Sequence, residues 1–364
     1  LGVRATYILE ERLPTPFWSL EVWQVKPKRP PPDEGVGRTL RSPEEIRAIP
    51  AEGVASLAEG HYADASGHLR ADFVYRSPLP GGEFSTNPLD LYESPLTHEQ
   101  IVVKGGGEYL VQAEYIGLSF FTLLGLPVPR CSLVRAPLRD RRGFVLRDEH
   151  GHPRSELAFA LQFLPRHLSG GDALPPLFDY DPRIQGALLL SLLLRERDRT
   201  PKNILVPLRD QMGGRLFHID FGASLAFRAT GGFDGFPDRI RPEEIRELLK
   251  TPRLNQSGFV NEAYRTALED PELLTRLAAR LAAISDDQIR AIIHAAGVLR
   301  GQESLPLLRS WIQQLEVENW AGRWNLESRA RRLAAIETFY HAMDAGGLAE
   351  YFEQALIQRR DDLV

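Results

Sequence analysis

Between residues 71 and 164 the apolar positions fall in short β-like runs, whereas from about Ile184 onward they recur at helical spacing. Ile101-Val102-Val103-Lys104 predicts a strand, residues 109–124 a helix, and residues 131–135 and 158–163 two further strands. Gly125-Leu126-Pro127-Val128-Pro129 ends the helix, because glycine suits a C-terminal cap and proline cannot extend the helical ladder. This stretch reads as a small sheet with one packed helix. Residues 187–194 are the most apolar run, and a β-like pair at 204–208 and 216–219 follows, joined through Gly213-Gly214. Beyond Pro242 the chain reads as amphipathic helix, with segments at 271–284, 287–298, 305–316 and 328–344.

Residues 1–70 have a different texture: a strand-like stretch at 19–25, a proline-rich run at 26–33 suited to an extended linker, and a short helix from Ser42. No repeat of fixed period is present. The expected organisation is α+β: an accessory N-terminal segment at 1–70, a small β-rich lobe with one helix at 71–164, and a larger helical lobe at 165–364. That layout is bilobal.

Composition narrows the class without naming it. At 364 residues the chain can bury a full core, and 43% hydrophobic with 26% charged residues is the balance of an ordered globular protein. A net charge of −5 offers no global basic field, so direct nucleic-acid binding is not expected. The lone cysteine, Cys131, excludes an intramolecular disulfide and a cysteine zinc cage; inside an apolar strand it reads as a buried, inert thiol. Residues 187–194 are too short to cross a bilayer, and no basic stretch followed by an apolar run opens the sequence. The expectation is a cytoplasmic protein with no membrane span.

The candidate chemistry lies in Arg197-Asp198-Arg199-Thr200-Pro201-Lys202-Asn203 and in Phe217-His218-Ile219-Asp220-Phe221-Gly222. Phosphoryl transfer requires a carboxylate to orient the acceptor hydroxyl, and an amide oxygen with a second carboxylate to hold magnesium on the phosphates. Asp198, Asn203 and Asp220 supply those groups, with the Asp-to-Asn step of a kinase catalytic loop and the kinase Asp-Phe-Gly metal-binding tripeptide. Either motif alone reads as an ordinary turn; their order, with a glycine-containing hairpin between them, favours chemistry. Lys104 ends a strand, as a phosphate-pairing lysine should, and Glu114 on the next helix can fold back to position it.

Gly81-Gly82 is the candidate phosphate-covering loop, an ordinary hairpin turn being as compatible, while Gly105-Gly106-Gly107 suits the turn into the helix. Adenine is expected beside Gln162-Phe163-Leu164, which also reads as a plain core strand and its exit. The implied cofactors are ATP and Mg2+. No Gly-Lys-Ser/Thr, Gly-x-Ser-x-Gly or His-Glu-x-x-His signature competes. His218 reads as a packed residue, and Trp311, Trp320 and Trp324 as helical core.

Several ordered blocks resemble the HipA-like kinases, in the phosphoinositide-kinase-like branch of the protein-kinase-like superfamily. Ser94 through Lys104 resembles that family's strand ending in the ATP lysine, and Glu114 followed by Leu124-Gly125-Leu126-Pro127-Val128-Pro129 resembles its helix and exit. Leu192 through Val206 resembles its apolar helix running into the catalytic loop, while Phe217 through Gly222 is closer to phosphoinositide kinases. The resemblance spans roughly residues 73–227. It implies a bilobal protein-kinase-like fold, ATP with magnesium, and a serine or threonine hydroxyl of a protein substrate as acceptor; it also admits a regulatory protein partner. Thr200 stands where the family often has histidine, and the family's glycine loop is not recognisable. The motifs equally admit a phosphoinositide or small-molecule acceptor, and a third reading is a pseudokinase whose helical half binds other proteins.

Overall fold

A computed structural model describes residues 40–57, 59–79, 89–140, 142–164, 167–169, 182–196, 203–207, 216–226, 233–249, 264–320 and 326–364. The strand expected at 19–25, the proline-rich run, the Gly213-Gly214 connection, Gly81, Gly82 and Asp198 lie outside the described residues.

The architecture is mixed α+β. Two short helices, α1 (Pro43–Arg47) and α2 (Ala51–Val54), precede a five-stranded sheet. Ser42 caps α1 through a reciprocal capping box with Glu45, satisfying two backbone donors at the helix start. The sheet comprises β1 (Val74–Pro78), β2 (Leu89–Glu93), β3 (Gln100–Lys104), β4 (Cys131–Pro137) and β5 (Ser155–Gln162), in the order β1-β2-β3-β5-β4 with every pairing antiparallel. Between β3 and β4 the chain forms α3 (Glu108–Leu123), which ends where Gly125 takes the left-handed conformation at φ 82°. The Leu126 N–H then donates to the Phe121 carbonyl and the Gly125 N–H to that of Thr122, a Schellman closure.

Side-chain alternation divides the sheet's two faces. Ile101 and Val103 join Tyr62, Phe73, Tyr92, Val134, Ala136, Ala158 and Ala160 in a core on one face. Phe159 and Cys131 belong to the other face, against α3. Helix α3 is buried from Leu110 through Leu123, polar members included, so it has no solvent face over most of its length.

A second ladder joins β6 (His167–Ser169), β7 (Ile204–Pro207) and β8 (Phe217–His218), with α4 (Pro182–Gln185) and the apolar α5 (Ala187–Leu193) between β6 and β7. The remainder is helical: α6 (Pro242–Leu249), α7 (Pro271–Ala282), α8 (Asp286–Ala295), α9 (Gly301–Trp320), α10 (Leu326–Asp344) and α11 (Leu348–Leu363). Trp311 is buried in a ring cluster with Tyr109, Phe233 and Phe339. One hydrophobic core runs without interruption through α3, α5 and the C-terminal helices.

The stretch expected to be accessory contributes to that interior. Ile46 and Val54 are buried in the main core and Tyr62 under the sheet. Gln288 of α8 donates to the Ile46 carbonyl at 2.9 Å and the Ile49 carbonyl at 2.7 Å, and Arg280 of α7 donates to the Arg41 carbonyl at 3.0 Å. Among the described residues no helix is long and apolar enough to cross a membrane.

Candidate functional site

Lys104 is the last residue of β3, paired with Leu89 on one side and Phe159 on the other. Because Ile101 and Val103 face the far core, the pleat turns Lys104 toward α3. There its ammonium lies 3.1 Å from the Glu114 carboxylate and also contacts the Asp220 carboxylate. One cation between two anions is the central feature of the site.

Local geometry fixes each partner. Asp220 sits in the left-handed region at φ 62°, a conformation aspartate tolerates better than most residues. Phe221 is buried with its ring 4.5 Å from that of Phe121, and its N–H donates to the Glu114 carboxylate. Gly117 makes this approach feasible: a Cβ there would stand 2.6 Å from the Cβ of Phe221. At Gly222 a Cβ would come within 3.3 Å of the Glu114 carboxylate. The Asp-Phe-Gly tripeptide therefore lies directly on α3.

Asn203 is buried one residue before β7, and its carbonyl accepts from the Ile219 N–H at 3.0 Å. Ile204 pairs with His218, so Asn203 and Asp220 emerge from the same end of the β7–β8 ladder. The His218 N–H donates to the Pro127 carbonyl at 3.0 Å, and its ring, fully buried, lies 5.0 Å from that of Phe121. His218 thus packs, as the sequence suggests.

The glycine turn after Lys104 meets an acid. The Gly106 N–H donates to the Glu156 carboxylate, and a Cβ on Gly105 would clash with that group at 2.5 Å. A carboxylate there repels phosphate, so the turn serves entry into α3. Gln162 closes β5 opposite Ile101; its N–H donates to the Arg130 carbonyl at 2.8 Å, and that of Phe163 to the Gln100 carbonyl at 3.0 Å. Phe163 and Leu164 follow, half-buried. Lys104 pairs with Phe159, so Gln162 stands roughly 10 Å along β5 from the lysine.

Burial alone would lower the pKa of Lys104, but the Glu114 and Asp220 charges outweigh it and hold the ammonium above its ordinary range. Burial also raises the proton affinity of Glu114, partly offset by Lys104 and reinforced by the charge of Asp220. Exposure is graded: the Glu114 side chain is 3% exposed, Lys104 18% and Asp220 38%. Asp220 is therefore the member that solvent, or a ligand, reaches most readily.

The structure thus brings Lys104, Glu114 and Asp220 into contact and joins the Asn203 backbone to Ile219, the residue before Asp220. Among the described residues no cluster of three or more His, Cys, Asp or Glu side chains could hold a metal. Asn203 and Asp220 offer oxygen donors of the type Mg2+ prefers, and that ion ordinarily takes only one or two carboxylates, with substrate phosphates and water completing its shell. Sequence reasoning missed Gly117, whose signal was a glycine amid bulky residues in the middle of a helix. It also missed Glu156 as the anchor of the glycine turn. No protein-family model matches the chain, and no curated protein matches it.

Proposed function

We propose that the chain is an ATP-dependent phosphotransferase of protein-kinase-like, bilobal organisation, acting on a serine or threonine hydroxyl of a protein. The observation that carries this reading is the Lys104 ammonium held between Glu114 of α3 and Asp220 of the Asp-Phe-Gly tripeptide. Phosphoryl transfer is catalysed mainly by positioning and charge, so a fixed cation beside a metal-binding carboxylate is the device required. Lys104 stays charged and is offered to the ATP phosphates, while Glu114, buried behind it, sets where that charge sits.

Asn203 and Asp220 would hold magnesium, which when bound neutralises charge on the phosphates. Asp198 orients the acceptor hydroxyl. The oxygen of that hydroxyl forms a bond to the γ-phosphorus, the bond from that phosphorus to the β–γ bridging oxygen breaks, ADP leaves with the electron pair, and the hydroxyl proton passes to Asp198. Adenine is assigned to the Gln162-Phe163-Leu164 exit of β5 and the phosphate cover to Gly81-Gly82.

The test is transfer from γ-labelled ATP into protein, lipid and small-molecule acceptor pools, with Asp198→Ala and Asp220→Ala as variants. Protein serine and threonine become labelled, and each substitution lowers the rate at least about 10²-fold while the fold survives. Unchanged transfer by both purified variants ends the reading. Labelling confined to lipid or small molecules moves the acceptor to a phosphoinositide or metabolite, and magnesium-dependent nucleotide binding without turnover makes the chain a pseudokinase.

A further inference from the structure

The end of α5, upstream of Asn203, and residues 237–244, downstream of Asp220, are tied together by a side chain from the far end of the chain. Arg359, on the C-terminal helix α11, is fully buried. Its Nε donates to the Leu193 carbonyl at 3.0 Å and its Nη2 to the Leu192 carbonyl at 2.5 Å, at the end of α5. Its Nη1 donates to the carbonyls of Pro237 at 2.9 Å and Arg239 at 3.2 Å. Both terminal nitrogens also reach the buried carboxylate of Glu244, at 3.3 and 2.6 Å, and the guanidinium lies 4.9 Å from the centre of the Phe236 ring.

Those acceptors lie in the stretches before Asn203 and after Asp220 in the sequence. Leu192 and Leu193 begin the path toward Asn203, and residues 233–240 continue the path from Asp220. A second arginine repeats the link from the other side. Arg195, at φ 51°, donates to the Asp234 carbonyl at 3.1 Å and to that of Gly235, with its Nε 3.6 Å from Glu244. Between the arginines the backbones meet directly, the Leu225 N–H donating to the Leu194 carbonyl at 2.7 Å. The rest of the C-terminal region holds the same stretch: the Tyr351 hydroxyl donates to the Phe236 carbonyl at 2.6 Å, and the Phe236 N–H donates to the Thr338 hydroxyl at 2.8 Å.

We infer that Arg359 is a positioning residue: the guanidinium fork of α11 fixes the α5 exit against the segment after Gly222, and so sets the separation of Asn203 and Asp220. The inference rests on the phosphotransferase reading of that site. A buried ion pair is weak evidence for stability, since apolar replacements often stabilise as well. What the planar fork supplies is several directional bonds at once, which an ammonium group cannot reproduce. The role is therefore read in metal binding, not in folding.

Arg359→Lys is the first variant, because it keeps the charge opposite Glu244; Arg359→Met with Glu244→Gln, which removes both buried charges, replaces it if the lysine form does not fold. The magnesium concentration for half-maximal transfer rises roughly tenfold, as for other residues that hold metal ligands in place. The rate at saturating magnesium stays within about twofold, and metal-free nucleotide affinity does not change. In hydrogen exchange, the Ile219 and Leu225 amides speed up while those of β3 and β5 do not. Ile293→Ala, a core truncation in α8, controls for lost stability and leaves the magnesium requirement in place. A folded Arg359 variant with the wild-type magnesium requirement and exchange pattern overturns the inference, as does an equal magnesium shift in Ile293→Ala. Absence of any transfer by the wild-type chain removes the phosphotransferase reading instead, and the exchange measurement then still decides whether Arg359 couples the two segments.

Discussion

Asp90 faces the core of the five-stranded sheet opposite α3, alongside Tyr92 on β2 and near Tyr75 and Arg139. The Arg139 guanidinium lies 3.9 Å from the Tyr75 ring centre and donates to the Tyr92 hydroxyl at 3.4 Å, so it is engaged by the aromatics and only partly offsets the carboxylate. Burial pushes the Asp90 carboxyl from 3.8 up to about 6. The folded state therefore holds this proton more tightly than the unfolded chain. That contribution is fully present below about 4 and is lost as pH rises through about 6, leaving a buried charge at neutrality. Asp90→Asn keeps the neutral shape at every pH. Discounted for partial solvent access, it should stabilise the protein by about 1 kcal/mol at pH 8 and by almost nothing at pH 4. Denaturant midpoints at the two pH values check this, and an equal effect at both would exclude titration of Asp90 as the cause. The alternation in Leu89-Asp90-Leu91-Tyr92 favours the leucines as the buried set, whereas the structure buries Asp90 and Tyr92 more deeply. Lys104 and Glu114, by contrast, were legible because a strand end and the following helix place them in sequence order.

Helix α3 shows why the elements were easier to read than their contacts. Its length, its glycine stop and the strand before it follow from local spacing, and the observed range differs from the expected one by a single residue at each end. The identity of its neighbours depends on residues distant in sequence. Gly117 could only signal that something approaches closely; that the visitor is Phe221, about a hundred positions on, required coordinates. Strand β1 carries alternating exposed and half-buried residues with no apolar run, and β6 has only three residues, so neither had a pattern to detect. The Gly117–Phe221 contact makes a prediction at this scale. Gly117→Ala should gain about 1 kcal/mol of helix propensity, yet an overpacked core costs about 1–3 kcal/mol and the rigid ring leaves no slack. Net destabilisation is expected and, on the phosphotransferase proposal, weakened magnesium–nucleotide binding, because displaced Phe221 carries Asp220 with it. Denaturation and a nucleotide-induced thermal shift measure the two effects; a more stable variant with unchanged binding would refute the close contact.

At the scale of the whole molecule, the hydrophobic core is not divided at residue 164, where one lobe is expected to end, and the short strands β6, β7 and β8 follow that position. Arg41, Ile46 and Ile49 offer carbonyls to Arg280 and Gln288 of the C-terminal helices, Gln112 of α3 donates to the Gly297 carbonyl at 2.9 Å, and Tyr109 meets Trp311 at 4.4 Å. Spacing within one segment cannot reveal such pairs, because a buried glutamine whose partners are backbone carbonyls leaves no complementary side chain in the sequence. Their thermodynamic consequence is cooperativity. If the sheet, α3 and the C-terminal helices share one interior, none retains its buried surface when another unfolds, and the chain melts as a unit. Gln288 tests this, being buried, joined to Ser285 in a capping box, and the donor to the carbonyls of Ile46 in α1 and of Ile49 just after it. Gln288→Ala leaves the Ile49 carbonyl without this donor, while the Ile46 carbonyl keeps the Ile49 N–H at 3.2 Å, a cost of about 1–3 kcal/mol. It should lower the midpoint while far-ultraviolet and near-ultraviolet circular dichroism still change together. Two resolved transitions, with only one moved by the substitution, would show instead that the β-rich part and the helical part hold themselves together independently.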